Sequence, residues 1–260
     1  MIRGLVRELI LRLLKRNDLL NYFYRISLNL RQRKKILHFE KSQMRRFTVT
    51  SNSNHGDFLD FASKFGSDKD SSDAENAAYK WPSHTYGTVY EFLFSHRRNE
   101  IFNVFECGVG TNNTAMASNM GGTGEPGASL RLWKEYFPNS KIIGADIDKE
   151  ILFTENRIET FYVDQTCVES IKTLWNSVGD VKFDLMVDDG LHNLEGGMTL
   201  LVNSLEMLSN GGIYIIEDVS INYLDEFKIE LERNKLNYFI ICLWRSKEFG
   251  FDNNLILIKK

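Results

Sequence analysis

An α/β fold built on a mostly parallel sheet is predicted by three observations. Short apolar runs at about 102–106, 141–145, 159–163, 183–187 and 212–216 alternate with connecting segments that include helical patterns. Each run ends on or beside an acidic residue: Glu106, Asp146, Asp164, Asp188 with Asp189, and Glu217 with Asp218. Two further apolar runs, 238–243 and 254–258, are joined by a connection too short for a helical crossover, so they should pair antiparallel. Together these predict a Rossmann-like sheet of seven strands with helices on both faces.

Taken in order, residues 1–47 read as a basic helical arm. Ile2, Leu5, Leu9 and Leu13 recur at helical spacing, with Arg3, Arg7 and Lys15 roughly opposite. Arg12 interrupts the apolar run, so no transmembrane span of about 20 residues can be drawn. The arm carries a charge of +10, which leaves −13 for the rest of a chain whose net charge is −3. Such an arm suits an anionic membrane surface, or packing on the domain or on a second copy in a homo-oligomer.

A polar, turn-rich linker follows at 48–57, and a single domain fills 58–260. Its first helix covers 58–65 and stops at Gly66. A second opens at 83–86, with Ser83 as N-cap. A long glycine-, asparagine- and serine-rich connection spans 111–127. The helix at 128–137 is stopped by Pro138. Further helices are expected at roughly 194–208 and 223–234.

Composition is that of an ordinary globular domain, with 43% apolar and 26% charged residues. Cys107, Cys167 and Cys242 lie far apart and form no CxxC, so neither a disulfide frame nor a zinc site is indicated. A reducing cytoplasm is the expected compartment. Nothing in the chain points to nucleic acid.

Ligands of doubly wound sheets bind outside the carboxyl ends of the strands, so the five acidic ends should meet in one crevice. Glu106-x-Gly108-x-Gly110 would bring bare backbone close to a nucleoside cofactor. The pattern alone also opens nicotinamide and flavin sites. However, Asn113 stands where a third glycine would be, and Asp146 lies 36 residues past Gly110, beyond the usual interval of about 20. Glu106 beside the turn suits a cationic ligand better than a diphosphate. Asp146 could accept from both ribose hydroxyls.

Glu106-x-Gly108-x-Gly110, Gly144-x-Asp146 and Asp164-Gln165 resemble the class I S-adenosylmethionine-dependent methyltransferases. Five further stretches are similar to their metal-dependent sugar O-methyltransferase family, which includes macrolide-sugar methyltransferases and cephalosporin-hydroxylase-like proteins. These are Gly66-Ser-Asp-Lys69, His84-x-Tyr86, the 129–138 segment with its Trp133, Asp188-Asp-Gly-Leu-His192 and Ile216-Glu-Asp218. The likeness covers roughly 58–220 and departs at Leu191, where the family has Ser.

The resemblance implies Asp189, Glu217 and Asp218 as ligands of Mg²⁺, and His192, with Asp189, as the catalytic pair. It implies Glu106, Gly108, Gly110, Asp146, Asp164, Gln165, Asp188, Asp68 and Lys69 around S-adenosylmethionine. His84 and Tyr86 fall on the substrate side. The expected reaction is methyl transfer to a sugar hydroxyl, on a nucleotide-activated sugar or a glycan in polysaccharide biosynthesis, or on a glycosylated metabolite. A catechol-type acceptor and a non-catalytic, cofactor-binding role in glycan assembly are the rival readings.

Overall fold

The computed structural model describes residues 56–70, 79, 81–243 and 252–260. The arm at 1–47 and most of the linker therefore lie outside the described residues, as do the partner and membrane roles read from them. Among the described residues no helix is long and apolar enough to cross a membrane.

The domain opens with helices α1 (Asp57–Phe65) and α2 (Gly87–Phe94). Strand β1 (Asn103–Cys107), helix α3 (Ala128–Tyr136) and strands β2 (Lys141–Asp146), β3 (Thr154–Glu155) and β4 (Ile158–Tyr162) follow. Then come α4 (Val168–Val178), β5 (Phe183–Asp188), α5 (Leu194–Ser204), β6 (Leu208–Ile216), α6 (Leu224–Arg233), β7 (Tyr238–Cys242) and β8 (Asn254–Lys259). The strands form one sheet in the order β3-β4-β2-β1-β5-β6-β8-β7. Neighbours from β4 to β6 run parallel, and β3, β8 and β7 are antiparallel to their partners.

Three details depart from the sequence prediction. The sheet has eight strands, because two-residue β3 folds back on β4 and is too short to leave an alternation in the sequence. Helix α4 was not predicted, although Ile171, Leu174, Trp175 and Val178 repeat at the i, i+3, i+4, i+7 spacing of a buried stripe. Helix α2 starts at Gly87 without a side-chain cap, and Ser83 pairs instead with the Tyr79 hydroxyl.

The side-chain period of two divides the sheet into two apolar layers. Phe105, Met186, Tyr214 and Ile256 pack under the face covered by α4, α5 and α6. Val104, Val187, Ile215 and Leu257 pack under α1, α2 and α3. The second layer is aromatic. Phe58, fully buried on α1, stacks on Tyr90 of α2 at 5.1 Å and meets Trp133 and Tyr136 of α3 at 5.5 and 5.2 Å.

Chain order reverses direction at β1. The chain moves outward through β2 and β4, then returns to lay β5 on the other side of β1. The crevice therefore opens at the carboxyl ends of β1, β2 and β5. Backbone bonds extend the ladder to its edge: Gly108 N–H donates to Ala145 O at 2.8 Å, Asp189 N–H to Cys107 O at 2.8 Å, and Glu217 N–H to Asp188 O at 2.9 Å.

Phe58→Ala should lower the free energy of unfolding by about 3–5 kcal/mol in urea titrations, the range of a large core truncation. Phe92→Ala, at a side chain 54% exposed, should stay within about 0.5 kcal/mol of the parent.

Candidate active site

A cavity of about 670 Å³ sits at the reversal point. One wall is the turn after β1. Gly108 and Gly110 have φ of +98° and +87°, a region that side-chain-bearing residues rarely adopt. A Cβ on Gly108 would lie 2.1 Å from the carbonyl oxygen of Asp189, so glycine is what lets the β1 and β5 ends approach. Asp146 supports the same turn, accepting from Val109 N–H at 2.8 Å and Asp148 N–H at 2.9 Å. Met116 and Met120 of the 111–127 connection, together with Trp81, complete the wall. Trp81 Nε1 donates to Asp68 Oδ2 at 2.6 Å, and both residues line the cavity.

The floor is acidic. Asp189 and Asp218 line the cavity beside His192. His192 Nε2 lies 3.3 Å from Asp189 Oδ1, and its Nδ1 lies 3.8 Å from Asp218 Oδ2. One ligand atom from each of the three residues falls within a 4.8 Å spread, a set able to hold a metal ion. His192 and Asp218 both adopt left-handed backbone, with φ of +55° and +51°. Burial alone would lower the pKa of His192, but the charges of Asp218 and Asp189 outweigh it and raise it to about 10. Two neighbours hold Asp218: the Tyr86 hydroxyl donates to its Oδ1 at 2.6 Å, and His84 Nε2 lies 3.3 Å from the same oxygen. Tyr86 and His84 stack with ring centroids 4.7 Å apart.

Of the residues expected around the cofactor, Gly108, Gly110, Asp146, Asp164, Gln165 and Asp68 line the cavity, while Glu106, Asp188 and Lys69 do not. β1 runs on to Cys107, so Glu106 lies within the ladder and its side chain enters the aromatic layer. There Trp133 Nε1 donates to its Oε2 at 2.6 Å. Asp188 faces the opposite layer and accepts from Gln165 Nε2 at 3.1 Å. Burial lifts its pKa to about 6.

Lys69 is 1% exposed. Its Nζ donates to Asp189 Oδ2 at 2.7 Å, lies 2.9 Å from Glu106 Oε1 and pairs with Glu217 Oε2. Desolvation opposes its charge, yet Asp189, Glu106 and Glu217 together hold its pKa above the usual lysine value. Glu217, expected as a metal ligand, is fully buried, and its other oxygen accepts from the Tyr90 hydroxyl at 2.6 Å. On the substrate side, His84 lines the cavity. Tyr86 does not: it is buried and reaches the site through its hydrogen bond to Asp218 and its stacking on His84.

Sequence reasoning assigned no role to Trp81, Tyr90 or Trp133. Only Trp133 carried a signal, as the tryptophan of the 129–138 motif. Tyr90 looks like any aromatic residue on an apolar helix face.

The reversal at β1, the glycine turn and the acidic strand ends define the class I methyltransferase fold. No family model matches this chain. It is 32% identical over 149 residues to the 8-demethyl-8-alpha-L-rhamnosyl tetracenomycin-C 2'-O-methyltransferase of Streptomyces olivaceus, covering 57% of this chain and 37% of that protein. It is 32% identical over 147 residues to the mycinamicin VI 2''-O-methyltransferase of Micromonospora griseorubida, covering 55% and 34%. The matched stretch thus spans little more than a third of these curated relatives. Among solved structures, the MycE methyltransferase of the mycinamycin pathway, in complex with Mg, SAH and mycinamycin VI, aligns at a TM-score of 0.54. That alignment has 21% identity and covers 80% of this chain and 55% of that one. Over the matched stretch the domain is thus similar to sugar O-methyltransferases, the likeness its motifs suggest.

Gly108→Ala should destabilise the fold by about 1–3 kcal/mol in chemical denaturation, because the new Cβ meets backbone in a left-handed conformation.

Proposed function

We propose that this chain is an S-adenosylmethionine- and Mg²⁺-dependent O-methyltransferase acting on a sugar hydroxyl. The observation that carries this reading is the Asp189–His192–Asp218 cluster on the floor of a cavity whose wall is the Gly108–Gly110 turn. The residues fit both groups. The turn and Asp146 offer bare backbone and an acceptor carboxylate to a nucleoside. Asp189 and Asp218 offer the hard oxygen donors that Mg²⁺ prefers. Glu217 backs them through Lys69.

When bound, S-adenosylmethionine supplies an activated methyl group, and Mg²⁺ offsets the charge of Asp189 and Asp218 and acidifies an acceptor hydroxyl. The chain's own residues do the rest. The glycine turn, Asp146, Asp164 and Gln165 hold the nucleoside. Trp81 and Asp68 close the opening over it and exclude water. His192 is held between Asp189 and Asp218, whose charges keep it protonated; a cation held by the same two carboxylates would offset that charge, and the neutral imidazole would then be placed to take the proton from the hydroxyl. Tyr86 and His84 keep Asp218 aimed at the floor. Much of the rate then comes from holding acceptor and methyl donor in line.

The acceptor is a sugar bearing a free hydroxyl. The relatives named above are, by their names, methyltransferases of rhamnosyl tetracenomycin and of mycinamicin VI. We take a sugar joined to a small aglycone as the first acceptor to test. A nucleotide-activated sugar or a polysaccharide of the kind expected from the sequence is the finer alternative. A mass-spectrometric screen with labelled S-adenosylmethionine across glycosides, nucleotide sugars and oligosaccharides separates these, since each methylated product gains about 14 Da.

His192→Ala and Asp189→Asn should each lower turnover by 100-fold or more, on the order of a lost general base, while S-adenosylhomocysteine affinity by calorimetry stays within about threefold. Full wild-type turnover in excess EDTA would sink the metal-dependent part of this reading.

A further inference from the structure

Glu106, Asp189 and Glu217 come from the ends of three adjacent strands and point to the same side of the sheet. The period of two explains why: Val104, Val187 and Ile215, each two residues earlier, pack into the layer under α1–α3. One oxygen from each carboxylate falls within a 4.8 Å spread, a span that a hard cation accepts. The Lys69 ammonium stands among them: it donates to Asp189 and Glu217, and it lies 2.9 Å from Glu106 Oε1, a buried oxygen that accepts no hydrogen bond from the described residues. Asp189 belongs to both clusters: its Oδ2 faces Lys69, and its Oδ1 faces His192 and the cavity.

We propose that the Glu106–Asp189–Glu217 cage is a second cation site, filled in this chain by its own ammonium, and that a divalent ion takes the site when Lys69 is removed. The metal reading of the cavity floor does not include this site. The acidic floor is then half of a two-cation centre whose other cation is covalent and cannot dissociate. Without a positive charge, three carboxylates of which two are fully buried would repel one another and open the ends of β1, β5 and β6. A tethered ammonium holds them together at any metal concentration, so Asp189 is already in place when the floor receives its ion.

The test is thermal unfolding of the full chain in EDTA and in excess Mn²⁺, with bound Mn²⁺ counted by electron paramagnetic resonance. Lys69→Ala leaves room in the cage. It should melt roughly 10 °C below the parent in EDTA, the loss typical of a broken buried pair. Mn²⁺ should raise its melting temperature by several degrees more than the parent's, with one additional ion bound. Lys69→Met removes the charge but fills the space, and its loss should not be recovered by Mn²⁺. If Lys69→Ala fails to fold in EDTA, the Lys69→Ala/Glu217→Gln pair, which loses one charge of each sign, is compared with Glu217→Gln for the additional ion. A Lys69→Ala protein that melts with the parent in EDTA, or gains no more from Mn²⁺ than the parent, overturns the proposal. A parent that binds no Mn²⁺ overturns the metal reading of the floor and leaves the cage to be judged on the variant alone.

Discussion

The site depends on one buried ammonium. Lys69 lies far in sequence from the carboxylates it joins, and its loop reaches them by crossing the ends of three parallel strands. The same loop pairs with the substrate side: His84 N–H donates to Asp68 O at 2.7 Å, and Tyr86 N–H donates to Lys69 O at 3.0 Å. One short segment therefore aligns Asp189 and Glu217 through charge, and Asp218 through Tyr86 and His84. A carboxylate floor this dense would be expensive to bury unpaired, and Lys69 supplies it with a fixed partner.

The aromatic layer under α1, α2 and α3 extends this constraint into the core. Tyr90 holds Glu217 and Trp133 holds Glu106, while Phe58 packs against both rings. The polar ends of these side chains serve the site, and their rings serve the packing. The helices that cover this face are thus part of the apparatus that positions the charges.

Much of this was legible in the sequence. The alternation of apolar runs with helical segments marked every parallel strand, and acidic strand ends beside a glycine turn placed the crevice. Helix α4 was not predicted, although Ile171, Leu174, Trp175 and Val178 repeat with helical period. The inward aim of Glu106 followed from alternation once β1 extends to Cys107, but a strand boundary uncertain by one residue turns a buried side chain into a ligand-facing one. Lys69 was not legible in its true role, because a loop residue's partners are set by where tertiary packing carries the loop. Two-residue β3 exists only through its pairing with β4.

Two side chains on the cavity floor, His192 and Asp218, sit on left-handed backbone where glycine would be relaxed. Non-glycine residues in that conformation cost on the order of 1 kcal/mol or more each. Relief of backbone strain alone would therefore favour glycine at both positions and erase the floor chemistry as it did so. In laboratory evolution of this domain, melting temperature and chemistry should trade against one another at these two positions. A stabilised descendant that keeps both side chains must have gained its robustness elsewhere.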